Sequence, residues 1–186
     1  RRDHALLHLT VQTGLRVSEL VGLCCEDISL GVGAHVRCEG KGRKERCTPL
    51  TKETVKVMKA WCRERAGAVA DPLFPSARGR RLSPDGVQYL LAKHVKAARQ
   101  QCPSLQNKRV SPHVLRHTAA MNLLQAGVDR ALIALWLGHE SVETTQIYLS
   151  ADMAMKEKIL AKTRPVKAPA GRYRPDDELM EFLKNL

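Results

Sequence analysis

Two short stretches, Ala34 to Cys38 and Arg46 to Leu50, read as β-strands on either side of the turn GKGRKE, and they limit what this 186-residue chain can fold into. Elsewhere the apolar residues recur at helical spacing, so the strand pair must pack among helices. The expected fold is therefore mainly α with a small antiparallel β-hairpin or sheet, an α+β class. With 44% apolar residues the chain can bury a sizeable core.

The helices can be placed from their punctuation. Ala5, Leu6, Leu9 and Val11 predict a first helix from Asp3 to Thr13, capped by Asp3 and stopped by Gly14. The segment TGLRVSELVGL, Thr13 to Leu23, turns Leu20, Val21 and Leu23 to an apolar side. Thr51 caps a helix with Val55, Met58, Trp61 and Cys62 at core spacing. A turn-rich connection from Asp71 leads to Ser83-Pro84-Asp85, which opens a helix to about Gln100 with Val87, Leu90, Leu91 and Val95 inside. Ser111-Pro112 opens a helix ending near Gly127, Asp129 caps the next one through Leu137, and Gly138 ends it. Ser141 is expected to cap a third short helix presenting Tyr148, and the helical pattern continues from Met153 to Lys162.

Residues 1–162 thus read as one domain and 163–171 as a Pro/Ala/Lys linker. Residues 172–186 read as an amphipathic helix with Leu179, Phe182, Leu183 and Leu186 on one narrow stripe, suited to docking on its own domain or a neighbour's. The chain opens at Arg1, inside a helix and without methionine, and is read as a fragment or excised domain.

A net charge of +12 makes a polyanion the natural partner, while 4% aromatic residues argue against base-stacking platforms for single strands. The six cysteines include no CxxC pair, and Cys24 and Cys25 are adjacent, so they are expected to be reduced thiols of a cytoplasmic protein. No apolar run approaches a membrane span. The carboxylates do not cluster as a two-metal nuclease requires, and no GxxxxGK[ST] loop occurs, so neither metal nor cofactor is expected.

The residues from Ser111 to Leu149 carry the chemistry. His113 and Arg116 lie one turn apart, so they are expected to share a helix face; His139 follows Gly138, and Tyr148 stands nine residues further on. Together they offer a phosphate a cation, proton carriers and an oxygen nucleophile. Upstream, Arg16 and Glu19 stand one turn apart, and Lys41, Arg43, Lys44 and Arg46 surround the hairpin tip. Each has a plain reading: a surface ion pair for Arg16 and Glu19, a solvated turn or a short basic targeting patch for the tip, helix-end residues for the histidines. Arg80, Arg81, Lys93 and Lys96 can meet DNA phosphates or only solvent.

Taken in order, TGLRVSELVGL, GKGRKER, SPHVLRH, LGHES and TTQIYL resemble the catalytic domain of the tyrosine recombinases, the integrase family that includes the Xer resolvases. Any one of these motifs is weak; five in order over more than a hundred residues are specific, and the resemblance runs to about Lys162. It implies Arg16 as the first arginine, Lys41 as the hairpin lysine with Lys44 its rival, His113 and Arg116 as the HxxR pair, His139 as the third-motif histidine, Tyr148 as nucleophile and Glu19 as the acid steadying Arg16. It further implies double-stranded DNA recombination sites as partner, a 3′-phosphotyrosyl intermediate without metal, and a homotetramer on DNA joined by exchanged C-terminal tails, with a monomer when free. An N-terminal DNA-clamping domain is then expected outside this chain, and a bacterial, nucleoid-associated location with it. The longer tail favours a mobile element over chromosome resolution. A type IB topoisomerase and a non-catalytic DNA-binding module are the alternatives.

Overall fold

A computed structural model describes residues 1–40, 45–138 and 160–161. Its order is α1 (Arg2–Thr13), α2 (Val17–Gly22), β1 (Ile28–Ser29), β2 (His35–Glu39), β3 (Glu45–Pro49), α3 (Lys52–Arg65), α4 (Pro84–Arg99), α5 (Pro112–Gln125) and α6 (Arg130–Leu137). The chain divides into two compact units, Arg1–Ala119 and Ala120–Leu186.

In the first unit, the three strands form an antiparallel sheet in the order β1-β2-β3. The predicted strand pair is there, shifted by one residue, with Val36 opposite Thr48 and Cys38 opposite Arg46. β1 is an addition: a two-residue strand has no alternation for the sequence to display. Val36 and Cys38 of β2 face inward, while Arg37 and Glu39 are exposed. The inward residues meet Leu6 and Leu9 of α1, Leu20 of α2, Met58 and Trp61 of α3 and Val87 of α4 in one apolar cluster. Trp61 is buried with its indole N–H donating to the Leu73 carbonyl at 3.0 Å, so its polar edge is satisfied.

The predicted caps largely hold. Gly14 ends α1 at φ 66°, and Gly138 ends α6 at φ 72°, both left-handed conformations that favour glycine. Asp129 accepts from Ala131 N–H at 2.8 Å and Ser83 from Gly86 N–H at 3.0 Å. Asp3 is a correction. α1 begins one residue earlier, and the Asp3 carboxylate instead takes the Arg2 guanidinium at 2.7 Å and the His94 ring nitrogen at 2.9 Å, tying α1 to α4. Thr51 accepts from Thr54 N–H at 3.1 Å, and Thr54 is fully buried. Thr51→Ala is accordingly expected to cost about 1 kcal/mol in urea unfolding.

In the second unit, Ala120, Leu123, Val128, Ile133, Trp136 and Leu137 make a separate cluster, with Leu160 packed against it. All six cysteines are free thiols. No helix among the described residues is long and apolar enough to cross a membrane. Lys41, Arg43, Lys44, His139 and Tyr148, the expected helix from Ser141, the linker and the tail with Leu179, Phe182, Leu183 and Leu186 lie outside the described residues.

Candidate active site

The site is built where α1 stops. Gly14 reverses the chain, and two residues later Arg16 takes the N-cap position of α2 in an extended conformation. Glu19, on the first turn of α2, reaches back: its Oε2 accepts the Arg16 backbone N–H at 2.7 Å and its Oε1 accepts Arg16 Nη1 at 3.1 Å. The reach-back satisfies a backbone donor at the helix start and places a carboxylate beside the Arg16 side chain. The surface ion pair expected here is buried on one side only: Glu19 is 6% exposed, while the Arg16 side chain keeps about a third of its surface open.

What covers Glu19 from β3 is Arg46. Its Nη1 donates to Glu19 Oε1 at 2.6 Å and its Nη2 to Oε2 at 2.8 Å, a fork on both carboxylate oxygens. Arg46 was expected around the hairpin tip, and that placement is corrected: its side chain is 10% exposed. The signal was present. A strand alternates with period two, so Arg46 shares a face with Thr48 and Leu50, both buried. Reading the basic run as one charged turn hides that phase.

Arg116 completes the cluster. It is 4% exposed on α5 and donates Nη1 to the Gly14 carbonyl at 2.6 Å, across 102 residues of sequence. Burial, and then the facing charges of Arg16 and Arg46, push it down to about 10 from its ordinary 12.5, with Glu19 pulling the other way. It stays a cation at neutral pH. Three guanidiniums around one carboxylate leave a local surplus of positive charge, two in sum, in a place of reduced dielectric. An oxyanion would relieve that repulsion.

Glu19 responds in the opposite sense. Burial alone would raise it, but the hydrogen bonds and charges of Arg46 and Arg16 outweigh burial and hold it below its usual 4.5. A carboxylate depressed in the folded state contributes stability that is present above pH 4.5 and is lost as pH falls through its lower folded value. The stability gap between wild type and Glu19→Gln is therefore expected to narrow as pH falls below 4.5 in urea titrations.

His113 lies on the first turn of α5, one turn before Arg116 as the spacing predicts; it is exposed, whereas Arg116 is buried. Its ring neighbour is His117, edge to face with centroids 4.0 Å apart. His117 was not singled out in the sequence. Burial, then the charges of His113 and Arg116, push it down, and its buried Nδ1 has no hydrogen-bond partner. Among the more distant candidates, Lys93 and Lys96 are exposed on α4, and Arg80 is exposed on the loop before it. Arg81 is committed to structure: it donates to the Gly22 carbonyl at 2.8 Å and to Cys24 Sγ at 3.1 Å. Among the described residues, no group of three or more His, Cys, Asp or Glu is placed to hold a metal ion.

Comparison with known proteins adds the lineage. A family model described as "Phage integrase family" matches residues 1–155. The protein named "Putative integrase/recombinase y4rC" of Sinorhizobium fredii is 61% identical over the whole of this chain and 56% of its own length. The crystal structure of XerA recombinase is 31% identical over 88% of this chain and 57% of that one, with a TM-score of 0.66. XerH site-specific recombinase, solved bound to difH substrate in a pre-cleavage complex, is 29% identical over 80% of this chain and 42% of that one, at a TM-score of 0.65. The chain thus spans about half the length of the relatives it matches.

Proposed function

The chain belongs to the phage integrase family, and from that premise we propose that it is the catalytic part of a tyrosine-type site-specific recombinase acting on duplex DNA. The observation that carries this reading is the surplus of positive charge around the buried Glu19, with Arg16 and Arg116 each held by a fixed partner. Two arginine forks anchored in this way suit the non-bridging oxygens of a phosphodiester, whose charge grows as a nucleophile adds.

In the reaction, Tyr148 Oη attacks phosphorus in line and its proton passes to His113. The bond from phosphorus to the 5′ oxygen breaks, and that oxygen takes a proton from Lys41 on the hairpin. Arg16, Arg116 and His139 hold the non-bridging oxygens. The product is a 3′-phosphotyrosyl linkage and a free 5′ hydroxyl; attack by a new 5′ hydroxyl reverses each step and rejoins the strand. Because the phosphotyrosine conserves the bond energy, the exchange needs no nucleotide, and the guanidiniums take the charge role a metal ion fills elsewhere.

XerH, solved bound to difH substrate, supports DNA as the partner. Arg43, Lys44, Arg80, Lys93 and Lys96 are the further candidates for phosphate contacts, and Arg81 joins them only if its fork leaves Gly22. The assembly is a homotetramer on DNA, with residues 172–186 docking through Leu179, Phe182 and Leu183 on the adjoining subunit after the 163–171 linker. A mobile element is the favoured setting.

The test is covalent capture from a pool of nicked duplexes carrying a randomised segment, incubated with the full-length protein in EDTA. A band resistant to denaturant, with the DNA-linked peptide mapping to Tyr148, supports the reading. Capture only with magnesium, or through another residue, overturns it. Plasmid relaxation without any strand transfer between duplexes would assign a type IB topoisomerase instead.

A further inference from the structure

Arg46 belongs to the basic run around the hairpin but takes no part in the reaction as described, and it grips Glu19 with both terminal nitrogens. It sits on the inward face of β3, opposite Cys38, with both terminal nitrogens on the two oxygens of Glu19 at 2.6 and 2.8 Å. The same two oxygens hold Arg16 by its backbone N–H and by its guanidinium. One carboxylate therefore joins the start of α2 to β3.

Stability does not explain this arrangement well. A buried ion pair is often matched by apolar residues of similar volume, because both charges lose their water. Arg46 carries an added cost, since its buried Nε has no hydrogen-bond partner. The fork gives orientation instead: a carboxylate gripped on both oxygens cannot rotate, so Arg16 meets a fixed partner. Without it, Glu19 can turn about its last torsion and Arg16 with it.

Resting on the recombinase reading above, we infer that Arg46 is a positioning residue for DNA cleavage: it locks Glu19 so that Arg16 is aimed at the scissile phosphate, and it ties the hairpin strand to that arginine. It touches no substrate itself. A displacement of order 1 Å at a phosphate clamp can cost about 10²-fold in rate.

The experiment measures single-turnover covalent capture by full-length Arg46→Lys and Arg46→Met on a nicked duplex selected with the wild-type protein, together with DNA affinity and thermal melting. Arg46→Lys keeps the charge, loses the fork and guards against a variant that fails to fold; Arg46→Met keeps the volume but leaves the buried Glu19 with Arg16 alone. Both are expected to melt cooperatively and bind DNA as wild type does, and to cleave at least about tenfold more slowly. The deciding readout uses a methylphosphonate in place of the scissile phosphate. With one oxygen's charge gone, the clamp matters less, so the gap between variant and wild type should close, as it should for Arg16→Ala. Wild-type cleavage by either variant overturns the inference. So does a rate gap equal on both substrates, or loss of melting in both variants, each of which marks Arg46 as merely structural. If the wild-type protein forms no adduct with any duplex, it is the recombinase reading that fails.

Discussion

The Tyr148→Phe protein is expected to bind duplex DNA as tightly as wild type and to form no covalent adduct at all. The substitution removes one oxygen and leaves the ring, so any loss falls on bond formation. In-line attack needs a nucleophile opposite the leaving 5′ oxygen, and the proposed reaction gives that place to Tyr148 alone. An unperturbed phenol titrates at about 10, so in the proposed reaction Tyr148 needs a base, the role given to His113, to lose its proton at neutral pH. Tyr89 provides the control: it is 71% exposed on the outer side of α4, and Tyr89→Phe is expected to retain the adduct in full. Denaturing gels after incubation with a nicked duplex decide both; an adduct formed by Tyr148→Phe would remove the nucleophile from the assignment.

Arg116→Ala is expected to lower the rate of adduct formation by about 10² to 10³, the loss typical of removing one preorganised donor from an oxyanion site. Arg116→Lys should recover little of it. The side chain works as a fork, with one nitrogen spent on the Gly14 carbonyl at 2.6 Å, and an ammonium cannot hold that carbonyl and a phosphate in the same geometry. DNA affinity should change far less, since one phosphate contact among many is lost. Single-turnover rates and equilibrium binding separate the two effects. A fall in affinity as large as the fall in rate would make Arg116 a general DNA anchor rather than a group used at the reacting phosphate.

The parts of this fold that could be read from the sequence are those written in local chemistry. Gly14 and Gly138 stop helices because a left-handed residue is needed there, and Thr51, Ser83 and Asp129 start them because their side chains take an open N–H. The contacts that make the site are of another kind. Glu19 finds Arg46 from 27 residues away, Gly22 finds Arg81 from 59, and Gly14 finds Arg116 from 102; no motif records such pairings. Charge reading also works against phase. In GKGRKER four cationic residues and an acid look like one solvated turn, and only the two-residue period of β3 separates the inward Arg46 from its neighbours. His113 and Arg116 stand one turn apart on α5 as the spacing predicts, but no local pattern announces that one is exposed and the other buried, or that the His113 ring meets His117.

The division of the chain into two units has an optical consequence. Its only two tryptophans, Trp61 and Trp136, are both buried, one in each unit. Intrinsic fluorescence is therefore the sum of two signals, each belonging to one unit, and a Trp→Phe change at either position leaves a single emitter for the other. Denaturant titration of the two single-tryptophan proteins then shows whether the arginine cluster's unit and the α6 unit open in one cooperative step or in succession, a distinction that no bulk melting curve of the whole chain resolves.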